Sequence, residues 1–126
     1  MASSSTPRIL TFIADSSIAK GKAVKIGSDK DHVALGAANT DKCFGIAQCE
    51  ATASGNSIEV AINGGGAKAL LGESVTAGLD LVSHTDGTLV KPNAEGDQII
   101  ARAMADGSAS DLVSVEVYYA TAHASQ

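Results

Sequence analysis

The chain has 126 residues and a formal net charge of −5, with three histidines, no tryptophan, two phenylalanines and two tyrosines. That length suits one domain with a real core. The acidic balance argues against nucleic acid as a partner, because phosphate contacts need clustered Lys and Arg. Phe12, Phe44, Tyr118 and Tyr119 are too few to build the stacking platforms of glycan or single-strand sites.

Residues 1–7, MASSSTP, are small and polar and predict a disordered tail. They lack the basic-then-apolar order of a secretory signal. No apolar run approaches the ~20 residues of a membrane span. The expectation is a protein made and kept in a cytosol-like compartment, with no membrane partner. Residues 8–13, RILTFI, form a compact apolar run. It is either the first strand of the domain or an arm that pairs with another chain.

Beyond it the period is two. Val24 and Ile26 alternate with Ala23 and Lys25. Ile58, Val60 and Ile62 alternate with Ser57, Glu59 and Ala61. Val113, Val115 and Val117 alternate with Ser114 and Glu116. Such alternation marks half-buried strands. Turn-forming residues separate them at 27–31, 54–56, 63–66, 86–87 and 106–111. Asp86-Gly87 is the strongest hairpin signal. Helical period is missing; Ala67–Leu71 and Ser110–Val113 hold a helical turn at most. The expected organisation is a tail or arm over 1–17, a single β domain over 18–120 and a flexible C-terminal tail over 121–126.

A weak internal repeat runs through this pattern. Residues 19–35 resemble 76–90, each a glycine, a strand, a polar turn and a strand. Residues 45–62 resemble 100–117, each a small-residue strand leading through a polar turn into an alternating strand. The predicted fold is all-β: a small barrel or sandwich built from two similar strand–turn–strand units, with an extended N-terminal arm.

No constellation points to catalysis. His32 and His84 fall in predicted turns and His123 in the tail, none at metal-ligand spacing. Cys43 and Cys49, on one strand, would lie roughly 20 Å apart, too far for a disulfide. Asn63-Gly64-Gly65-Gly66 does not open a helix, so it reads as a bend and not as a phosphate cradle. Asp106–Asp111 has too few carboxylates for a calcium loop. No serine stands in a nucleophile elbow. The expectation is a non-enzyme with no cofactor, metal site or catalytic residue. A glycan- or small-molecule-binding β module is the alternative, and a small hydrolase a third.

The strings FGIAQCEATASGNSIEVAINGGGAKA, AGLDLVSHTDGTLVKP and IARAMADGSASDLVSVEVYY, in that order, resemble the decoration (cement) proteins of tailed-bacteriophage capsids. The resemblance covers roughly residues 18–118. It implies an all-β structural protein on the outer surface of the virion capsid, made in the host cytoplasm. The implied partners are the major capsid protein, whose neighbouring copies it clamps, and itself, as a homotrimer. Some members dock through an N-terminal arm that orders on binding. Carried over here, that arm is Thr6, Pro7, Arg8, Ile9, Leu10 and Phe12.

Overall fold

The computed structural model describes residues 8–92 and 96–121. Ten strands are present among them: β1 (Ile9–Ala14), β2 (Ala23–Ile26), β3 (His32–Leu35), β4 (Gly45–Ala47), β5 (Ser57–Ile62), β6 (Gly66–Leu70), β7 (Asp80–Ser83), β8 (Leu89–Val90), β9 (Gln98–Ala103) and β10 (Leu112–Thr121). The first five close into a barrel in the order β1-β3-β2-β4-β5. The other five form a sheet in the order β6-β10-β9-β7-β8. The all-β fold from two similar units is what the alternating sequence predicts.

The repeat is a repeat of topology. In the barrel β1 pairs antiparallel with β5 and parallel with β3. In the sheet β6 pairs antiparallel with β10, and Leu71, just past β6, forms a parallel bridge to Leu89 of β8. Single hydrogen bonds recur. Ile18 and Ala51 exchange two backbone bonds, as do Val75 and Gly107. Gly21 N–H donates to Ala47 O at 2.8 Å, and Gly78 N–H donates to Ala103 O at 2.7 Å. The matched registers pair Gly45 with Ala101, one residue away from the sequence alignment, because the loop after Gly107 is shorter than the loop after Ala51.

The halves differ where they meet. In the barrel Ile13 N–H donates to Asp31 O at 2.8 Å and seals β1 to β3. The matching Leu70 N–H donates instead to Gly21 O, and Gly87 O accepts from Ala23 N–H, both at 2.8 Å. The chain at 21–23 is thus wedged into the seam of the second sheet. Gly21 is buried there at φ +90°, with Leu70 and Leu112 where a Cβ would stand.

The core follows this join. Val24, Val33, Ile58 and Val60 fill the barrel. Leu71, Leu81, Leu89, Val113 and Val115 fill the second half, together with Ala23, Ile46 and Ala61 from the outside of the first. One apolar cluster therefore spans both halves.

Three expectations change. Ile9–Ala14 is a strand of the barrel, paired on both edges, so the fold begins well before residue 18. Ala67–Leu71 is not a helical turn but lies in β6 up to Leu70, and Ser110–Val113 passes from a turn at Ser110, with φ +75°, into β10 at Leu112, where Leu112 and Val113 pair with Leu70 and Ala69. Ladder pairing and burial of Ala69 and Val113 override the helix propensity of alanine, which is small beside tertiary packing. Thr121 ends β10, paired with Gln98, and is not the start of a tail.

Candidate functional site

The arm residues fall into two groups. Thr6 and Pro7 lie outside the described residues. Arg8 O accepts from Ile62 N–H at 2.8 Å, and the Arg8 backbone packs where Gly65 would carry a Cβ. The triple glycine is therefore a close-approach site as well as a bend. Ile9 and Leu10 are 42 % and 51 % exposed. Phe12 is half-buried and meets Phe44 edge-on, with ring centroids 5.3 Å apart. Tyr119 donates its hydroxyl to Phe44 O.

Cross-strand register defines a surface that sequence inspection misses. Ala23, Ile46, Ala61 and Ile9 are successive partners across β2, β4, β5 and β1. The first three are buried against the second half, and Ile9 ends the row partly in solvent. The matching row in the second half is Asp80, Arg102, Glu116 and Gly66. It is polar. Tyr118 donates to Asp80 Oδ1, and the Arg102 guanidinium lies 4.8 Å from the Tyr118 ring centroid. Burial first, and then the bond to Asp80, pushes the Tyr118 phenol above its ordinary value, so it stays protonated. One position in the repeat thus carries an apolar row where a half must be covered and a charged row where it faces water.

The residues with chemical potential are engaged structurally. His32 Nδ1 and Asp15 Oδ1 are 2.8 Å apart, and Asp15 also accepts from Ser28 N–H and Oγ–H. The bond to His32 is the largest cause holding the Asp15 carboxyl below its ordinary value. His84 lies in the Asp86-Gly87 turn, where its C=O accepts from Gly87 N–H at 3.1 Å. Asp106 accepts from Ala77 N–H, and Asp111 from Ser108 N–H. Both cysteines are free, and burial pushes the Cys43 thiol up to about 11. Among the described residues no three His, Cys, Asp or Glu side chains gather as a metal set. His123 lies outside those residues.

The comparisons with known proteins agree with this architecture. The base of the bacteriophage phi29 head fibre, gp8.5, has the same fold, with a TM-score of 0.68 at 16 % identity over 89 % of this chain and 94 % of that one. No curated protein matches at the level of sequence. The pattern of the phage cement proteins, which are structural and capsid-associated, matches residues 4–118. Extending over nearly the whole chain and both halves of the repeat, that match establishes that the chain belongs to the phage cement protein family.

Proposed function

We propose that the chain binds the outer surface of a phage capsid as a trimer and stabilises the shell by clamping neighbouring copies of the major capsid protein. It is made in the host cytoplasm and ends on the virion, and its role is structural, not enzymatic. The family match over residues 4–118 carries this reading. The contact we assign runs from Thr6 and Pro7 through Arg8, Ile9, Leu10 and Phe12. Exposed Ile9 and Leu10 beside Arg8 offer apolar area and a positive charge at one end of the barrel. A trimer multiplies such modest contacts by avidity.

The test uses source-phage shells assembled without this chain. Titration with the purified protein raises their disruption temperature and saturates at three chains per binding position. Leu10→Glu, at a site exposed enough to tolerate charge, weakens binding without unfolding the protein. Protein that is monomeric, does not bind the shells and leaves their disruption temperature unchanged overturns the proposal.

A further inference from the structure

Strand β6 is fully paired on only one edge. Towards β10, Ala67 and Ala69 are in register with Val115 and Val113. On the other edge Leu70 N–H reaches Gly21 O. Lys68 is met there by a side chain and not by a strand. Gln48 Oε1 accepts from Lys68 N–H and Gln48 Nε2 donates to Lys68 O, each at 3.2 Å. A carboxamide presents a donor and an acceptor side by side, as the backbone of a neighbouring strand does. Gln48 therefore stands in for one residue of a missing strand. By strand alternation the N–H and C=O of Gly66 point to the same edge. They have no backbone partner among the described residues.

A groove of about 420 Å³ opens beside this edge and continues over Lys68 and Ser114 on β6 and β10. Ile9 and Met104 line it, 42 % and 62 % exposed, with Gly66 and Ala67 at the strand itself. Small residues let another backbone approach, and an open edge is what extended peptides add to. We propose that an extended segment of the shell protein adds as a strand to the Gly66–Lys68 edge of β6, displacing the Gln48 carboxamide. The inference rests on the cement reading above.

The lining selects this occupant. Exposed Ile9 beside the edge calls for an apolar side chain, and Lys68 for a carboxylate. Residues 1–7 of this chain have no acidic side chain and only Met1 as a large apolar one. Two copies joined symmetrically through β6 would set their Lys68 side chains against each other.

Hydrogen exchange on the full chain, free and bound to source-phage shells, tests the proposal. The Gly66 and Lys68 amides exchange more slowly on the shell. Gly66→Pro removes an edge donor but leaves the β10 ladder, and weakens shell binding on the order of tenfold at unchanged melting temperature. Gln48→Ala removes the competing carboxamide and tightens binding about threefold. If Gly66→Pro fails to fold, the Gln48→Ala affinity and the exchange data decide. Shell binding with Gly66 and Lys68 exchange unchanged overturns the inference and leaves the cement reading standing. Absence of any shell binding overturns both. Slowing of the same amides with protein concentration, without shells, identifies a second copy as the occupant and overturns the inference too.

Discussion

Gly21 and Gly78 form a matched pair. They occupy the same place in the repeat, with φ of +90° and +92°, and each donates to an alanine at the end of a neighbouring strand, Ala47 or Ala103. Their surroundings differ. A Cβ at Gly78 meets nothing within 4 Å. A Cβ at Gly21 stands 2.6 Å from Leu112 Cδ2 and 2.8 Å from Leu70 N. Gly78→Ala therefore costs backbone strain alone, about 1 kcal/mol. Gly21→Ala costs the same strain plus overpacking at the seam, about 2–4 kcal/mol in total. For a chain of this size that is a fall in Tm of roughly 4 °C against roughly 8–16 °C. Circular dichroism melts of the two variants beside wild type measure the difference. Equal shifts for the two, or a smaller one for Gly21→Ala, would refute the wedge at residues 21–23.

Other consequences follow from the same geometry. Because one core cluster spans both halves, thermal unfolding is a single transition, and Leu81→Ala lowers stability by about 2–5 kcal/mol without splitting it; two calorimetric peaks would contradict the shared core. The Asp15 carboxyl is lowered from 3.8, so its stabilising share is complete above that value and is lost as the pH falls through the lowered one. Asp15→Asn should therefore flatten the acid limb of the stability–pH curve below about pH 4, and an unchanged limb removes Asp15 from the account. At pH 8 a thiol reagent should modify half-buried Cys49 well before Cys43, whose thiol is buried and raised to about 11. Faster labelling of Cys43, followed by mass spectrometry of the peptides, would show that its site opens.

The sequence is informative about strands and poor about faces. The alternation of Ile58, Val60 and Ile62 with Ser57, Glu59 and Ala61 appears directly as β5, with Ile58 and Val60 buried and Ser57 and Glu59 exposed. The Asp86-Gly87 turn is equally legible, with Gly87 at φ +84° and Thr88 bonding back to Asp86. The repeat is visible as grammar, yet its register is not, since a loop of different length shifts the counterpart of Gly45 from Ile100 to Ala101. β6 is hidden because Gly66–Leu70 is small and alanine-rich, and pairing with β10 decides its state. The row Ala23, Ile46, Ala61 and Ile9 comes from four strands, so no local pattern announces it. Nor does anything near Gln48 in sequence show that its side chain will meet Lys68. For Arg8–Ile13 the sequence leaves strand and arm open, and the paired ladder of β1 places Ile9 onward in the barrel.

The central claim is that this chain sits on the outside of a capsid and holds it together. Cryo-electron microscopy of the source particle tests it most directly. The account predicts density for this two-part β fold on the outer surface at threefold or quasi-threefold positions, with the Arg8–Phe12 end of the barrel against the major capsid protein. Particles whose outer surface carries no such density, while the chain is present in the preparation, would contradict it.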